Sequence, residues 1–575
     1  MQARSALLIS SLVGFTGCYS GRQDGVDANA TAGPGGSADG GDAGDGGGDG
    51  GPVLACADPD AAGVGAVRLR RLNRTEYANT LVDLGLVEPG SDVTAGIAGD
   101  MVLGGAHRGF VIGGPVDDAT ARDLVDAALQ VSATAALDPA FVGCDPAAGD
   151  DEDQCAQDFL VDFGRRAFRR PLTEAEVDAL LVIFGDARDE YDFASGIEAA
   201  LAALLTAPEV VYLFESDPPN AAPGDIVALD DFALASRLSY FLWDSTPDDE
   251  LLDAAEARQL TTDAGLEQQI RRMLAHPRAH DAVREFMREW TFVDGLGELQ
   301  KGEGYEWMTA DLAQDLRESL MRSLDDAVWG EDATLRQLVA GDTMYVNDAI
   351  AEAYGLPPVG SEELVEVAVD RDRWPGAMVH PGLMALQAKA TRGDPIARGL
   401  FVREQLLCDK LPAPPAVDEN GDPIDFDVPP PTPDATNRDR FAEHTASPLC
   451  AGCHAMIDPI GFGFEHYDAG GRFREVDDNG LPIDASGSVV GAGDLDGEFD
   501  GARELADRMA DSEEVAACVS TQWFRFALSR LETEDDECST NATVERFVAS
   551  GYDLEELLVA MAMSDSFRFR KVGDK

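Results

Sequence analysis

The chain has 575 residues, too many for one hydrophobic core, so several domains are expected. Its 107 acidic residues face 44 basic ones, for a formal charge of −63. Such a surface repels nucleic acid and anionic membranes, which argues against general electrostatic binding to either; most of these carboxylates read as solvated faces.

The N-terminal MQARSALLISSLVGFTGC carries Arg4, an apolar run from Ala6 to Phe15, and small residues before Cys18. It reads as an export signal, too short to persist as a spanning helix. Phe15-Thr16-Gly17-Cys18 resembles a bacterial lipobox, so residues 1–17 are expected to be removed and Cys18 lipidated. The competing reading is an ordinary secretory signal with an incidental cysteine. Tyr19 is not the aspartate of inner-membrane retention, so the resemblance favours the outer membrane, facing periplasm or cell surface. Residues 18–55 are rich in Gly and Asp, cannot bury a core, and read as a disordered tether.

A mainly α, multi-domain body with a few short hairpins follows. In residues 56–140, Leu69, Leu72, Tyr77, Leu81 and Leu84 fall at near-helical spacing. In 141–222, Thr173 and Glu176 stand as a capping box behind Pro171. In 223–365, Leu229, Phe232, Leu238, Phe241 and Leu242 form a core stripe, and Thr246 or Ser245 is expected to cap a helix through Pro247. Helices through Ile270–Phe292 and Leu312–Val328 are expected next. Residues 366–490 hold a proline-rich connector, two turns at Asn420-Gly421 and Asn479-Gly480, and the motif CAGCH at 450–454. ENGDPID lacks the glycine position of a calcium loop. GAGDLDGEFDG reads as a loop. In 491–575 helix returns, most clearly in ELADRMADSEEVAACVSTQWFRFALSRL.

Two thiols one helical turn apart can reach the two vinyl groups of one porphyrin, and the next residue can present imidazole to its iron. Cys450 and Cys453 are therefore expected to form thioethers to one covalent haem c, with His454 as proximal ligand. No second CxxC or paired-His motif completes a zinc site, and export delivers the chain where c-haem is attached. The competing reading is a Cys450–Cys453 disulfide. Met456 is too close to His454 to reach the opposite haem face. His466, twelve residues past His454, is far enough away to reach that face but equally suits a surface position; His444 and Met509 are the preferred candidate distal ligands, and a five-coordinate iron is the third option. Arg472 and Arg474 are candidate partners for propionates.

Beyond Cys18 and the CAGCH pair, six cysteines remain, an even number that suits an oxidising compartment. Nearness in sequence favours Cys144/Cys155 and Cys518/Cys538, leaving Cys56/Cys408.

RLNRTEYANTLVDL, FGRRAFRRPLTEAE, LASRLSYFLWDSTPDDELLDAA, ARGLFVREQLLCDKLPAPP with CAGCHAMIDPIGFGFEHYDAGGRFRE, and FRFALSRL resemble successive modules of one family. It is the planctomycete-type, haem-motif-bearing family of domains of unknown function, also found in myxobacteria, often as acidic lipoproteins. The resemblance covers nearly all of residues 66–575. It implies a mostly helical exported protein with a cytochrome c-like module. It also implies a histidine a few residues before CxxCH, matched by His444, which ranks that residue above Met509. Some relatives have a second CxxCH near the N-terminus; CADPD at Cys56 does not match it. An association with polysaccharide utilisation comes from the family alone.

Three functions fit these motifs. The first is electron transfer to a redox partner protein of unknown identity. The second is a haem-dependent oxidative enzyme acting on an extracellular substrate. The third is a binding or scaffold lipoprotein without haem. No GxSxG elbow, no P-loop, no GxGxxG after a strand and no HExxH competes with them.

Overall fold

The acidic residues have a local use before they have a global one. Helix after helix starts on an aspartate whose carboxylate accepts a backbone N–H of the first turn: Asp117, Asp151, Asp192, Asp230, Asp248, Asp394 and Asp553. The computed structural model describes residues 64–67, 69–105, 109–409, 411, 435–444 and 448–573. The signal segment, Cys18, the tether, Cys56 and Asn420-Gly421 lie outside the described residues.

The described chain is mainly α-helical, with short antiparallel strand pairs. A four-stranded sheet near the start takes the order Asp100–Val102, Val111–Gly113, Arg70–Arg71, Tyr212–Leu213. Elsewhere Ile226–Ala228 pairs with Phe569–Lys571, Thr343–Val346 with Val365–Ala368, and Ser486–Val489 with Gly497–Asp500. Thr173 and Glu176 close the capping box that their spacing predicts.

Two hydrophobic cores organise these elements. The smaller joins helices Arg74–Asp83, Asp118–Ala135, Glu152–Phe168, Glu174–Glu190 and Phe193–Leu205 around Phe163, Phe184 and Leu201. The larger runs through the segments expected as the third, fourth and fifth modules. Phe286, on helix Arg278–Thr291, stacks on Trp523 of helix Glu513–Leu528 with ring centroids 3.5 Å apart. Tyr354 donates to the Gly470 carbonyl at 2.7 Å, tying the third segment to the fourth.

Several local expectations are corrected. Leu69 is exposed, because the helix begins only at Arg74 behind the Asn73 cap. Asp248, rather than Thr246 or Ser245, caps helix Asp249–Glu256, accepting the Leu251 N–H. Ile270–Phe292 is two helices, Asp263–Leu274 and Arg278–Thr291, since Pro277 cannot continue the first. GAGDLDGEFDG is more than a loop; its Gly497–Asp500 is a strand paired to Ser486–Val489.

Disulfide pairing is corrected too. Cys144 and Cys155 are bonded, with Cα atoms 6.1 Å apart. Cys518 bonds Cys408, at a Cα separation of 5.3 Å, in place of the expected Cys518/Cys538 and Cys56/Cys408 pairs. The reason is helical geometry. Roughly 15 Å of helix rise lies between Cys518 and the end of its helix, while Cys538 begins the next one, Glu537–Ala549. Cys518 instead faces the wide turn Val402–Leu406, which leads into Cys408. Cys538 is also disulfide-bonded.

Candidate functional site

CAGCH lies inside helix Pro448–Phe462. Cys450, Cys453 and His454 stand at i, i+3 and i+4, which places them on one face of that helix. The two thiols are free and half-buried. The expected alternative of a Cys450–Cys453 disulfide is therefore corrected. Among the described residues these are the only free cysteines; the other five are disulfide-bonded.

The helix is held at a fixed height by close backbone contact. It crosses helix Pro395–Phe401, where a Cβ on Gly399 would strike the Ile457 carbonyl and one on Gly461 the Pro395 carbonyl. Glycine is required at both positions for the helices to approach this closely. Two buried arginines from the same segment finish the attachment. Arg398 donates to the carbonyls of Phe464 and Tyr467 at 2.8 and 2.9 Å, and to those of Met384 and Asp468 at 3.1 Å. Arg403 donates to the Met456 carbonyl at 3.0 Å and the Val490 carbonyl at 2.7 Å, and pairs with Asp409. Such buried cations are sustained by dense hydrogen bonding.

His454 is oriented from within its own helix. Its Nδ1 lies 2.9 Å from Oδ1 of Asp458, one turn on, and Asp458 is 5% exposed. Sequence reading missed this partner, although H-x-x-x-D on a helix is a legible spacing.

The other expected residues fall as follows. Helix Asn437–His444 lies across the far end of the CAGCH helix, with the Phe441 and Phe462 rings in edge contact at 6.1 Å. The Asn437 amide lies 3.0 Å from both carboxylate oxygens of Glu465. Burial pushes the Glu465 carboxyl up, while Arg398 and the Asn437 bond pull it back. His444 ends that helix, four residues before Pro448; its side chain lies outside the described residues. Met509 is buried in the larger core on helix Gly501–Ala510, which packs against helix Leu335–Ala340. His466 stacks on Phe473 and hydrogen-bonds the Arg474 carbonyl through Nδ1 at 2.7 Å. Arg472 lies over the Trp307 ring at 3.4 Å and donates to the Ala353 carbonyl, so it is a structural residue. Arg474 pairs with Asp478.

Four family models match the chain. Residues 155–215 match protein of unknown function DUF1595, 229–356 DUF1592, 374–477 DUF1588 and 496–567 DUF1585. The chain contains four modules of unknown function. Together they support membership of the planctomycete-type multi-module family. CAGCH, Gly399, Arg398 and Arg403 all fall within the DUF1588 match, so that module contains both the motif and its main fastenings. No curated protein and no solved structure matches the chain.

A concave feature lies elsewhere, in a cleft of about 10 Å3, room for about one water. Glu76, Tyr240, Asp244, Glu285, Glu289 and Ser529 line it, drawn from sequence-distant segments that no motif connects. Asp244 takes a left-handed φ of 52° and accepts from the Asn79 amide at 3.0 Å. Burial, then the charges of Glu76, Glu285 and Glu289, pushes its carboxyl well above the usual range. Burial and the Glu285 charge likewise push Glu289 up to about 8, against the pull of the Val111 N–H and Arg288. Among the described residues, no group of three or more His, Cys, Asp or Glu side chains is arranged to hold a metal ion, and no helix is long and apolar enough to cross a membrane.

Proposed function

We propose that this is an exported c-type haem protein that transfers electrons to a partner protein. Cys450 and Cys453 would hold one haem through thioethers, and His454 would ligate its iron. The observation that carries the reading is which cysteines are bridged: five described cysteines are disulfide-bonded, while Cys450 and Cys453 are not. Those two thiols lie one turn apart and directly precede a histidine, the donor set a c-type haem requires. Bound haem supplies reversible one-electron exchange. The protein's own part is to fix the CAGCH helix through Gly399, Gly461, Arg398 and Arg403.

His444 is the favoured distal ligand, because its helix leads into the CAGCH helix after three residues. Met509 serves the larger core instead. Export and lipid anchoring at Cys18, at the outer membrane, rest on the N-terminal sequence.

A pyridine haemochrome spectrum tests the reading, on protein exported from a host that matures c-type haem. A c-type band is expected in the wild type and none in the Cys450→Ala/Cys453→Ala variant. No covalent haem in folded wild-type protein, with maturation active, sinks the proposal and leaves a binding lipoprotein.

A further inference from the structure

The bond between His454 and Asp458 says more than where the imidazole points. Asp458 is 5% exposed and lies one turn after His454 on the same helix, so the carboxylate approaches Nδ1 from a fixed backbone. That helix cannot slide, since Gly399 and Gly461 lock it against its neighbour and Arg403 grips the Met456 carbonyl. With Nδ1 bonded to Asp458, Nε2 is the ring nitrogen that would meet an iron. A carboxylate on the remote nitrogen of a ligating histidine fixes its tautomer and raises its basicity. A buried negative charge also favours the more positive metal, because little solvent screens it.

We propose that Asp458 is a positioning residue that holds His454 with Nδ1–H toward the carboxylate and lowers the reduction potential of the iron His454 ligates. The inference rests on the haem reading above and deepens it. Asp458 stabilises the ferric state over the ferrous one across the one-electron couple, in which the haem gains or loses an electron and the partner protein loses or gains it. This weights the site toward giving electrons up to the partner protein.

The test uses the full exported chain with c-haem maturation, comparing wild type and Asp458→Asn. Asparagine preserves shape and can still accept from Nδ1–H, but it removes the charge. The haemochrome band comes first: its absence from folded wild type overturns the haem reading and this inference together. With equal covalent haem in both proteins, spectroelectrochemical titration is expected to give a higher potential for Asp458→Asn. The iron–histidine stretch in resonance Raman spectra of the ferrous proteins is expected to fall with it if the iron is five-coordinate. Equal potentials overturn the role of Asp458 while the haem reading stands.

A second measurement does not depend on that variant folding. In the haem-free Cys450→Ala/Cys453→Ala protein, selective 15N-histidine labelling reports the His454 tautomer under alkaline conditions, with His454→Gln assigning the signal. An Nδ1–H tautomer is expected. An Nε2–H tautomer overturns the proposal.

Discussion

Gly461 lies against Pro395 so closely that any Cβ would fall inside the Pro395 carbonyl oxygen. Gly399 repeats the relationship from the opposite helix, against the Ile457 carbonyl. Backbone atoms on both sides leave no flexible side chain to yield. Gly461→Ala is therefore expected to force the helices apart and cost about 1–3 kcal/mol or more. Urea denaturation checks the stability loss. If the haem reading holds, covalent haem per folded chain should fall with it.

The bridge between Cys408 and Cys518 closes a separation of 110 residues and anchors the wide turn bearing Arg403. Peptide mapping without reduction should recover Cys408 linked to Cys518, and a Cys518–Cys538 peptide would contradict the structure. Replacing both Cys408 and Cys518 by alanine should lower stability by roughly 3–5 kcal/mol, measured by denaturant midpoint.

Glu289 is held up to about 8 against an ordinary 4.5, first by burial and then by Glu285. The folded chain thus keeps a proton that the unfolded chain releases between those two values. The resulting stability is fully present below about 4.5 and is lost as pH rises to about 8. Glu289→Gln keeps an acceptor for the Val111 N–H without the charge. It should flatten the decline in melting temperature across that window and exceed wild type in stability at its alkaline end. An unchanged pH profile would count against a protonated Glu289.

Asp536 is fully buried and joins distant parts of the chain. It accepts from the Gly65 N–H, from both terminal nitrogens of Arg530 and from the Ser566 hydroxyl. Burial alone would raise its carboxyl, but Arg530 and these donors prevail and hold it at about 2, below the ordinary 3.8. Its stabilisation is present above about 3.8 and is lost as pH falls toward 2. Asp536→Ala removes the carboxylate that pairs Arg530 and should cost about 3–5 kcal/mol near neutrality. The gap to wild type should shrink in acid, when denaturation is followed at both pH values.

The sequence by itself determined what depends on near neighbours. Helix is written into the spacing of Tyr77, Leu81 and Leu84 and into the Thr173–Glu176 box, since both act within a few turns. CAGCH is likewise local, because its cysteines and histidine need only one helical turn to share a face. Tertiary structure decided everything that needed two remote segments to meet. The partner of Cys518, the glycine crossing at Gly399 and Gly461, and the grip of Arg398 on four carbonyls each join residues whose separation in sequence carries no information about distance. The acidic cleft is the plainest instance. Glu76, Asp244 and Glu289 look like ordinary surface carboxylates in a chain with 107 acids, and only packing removes their water and raises the carboxyls of Asp244 and Glu289.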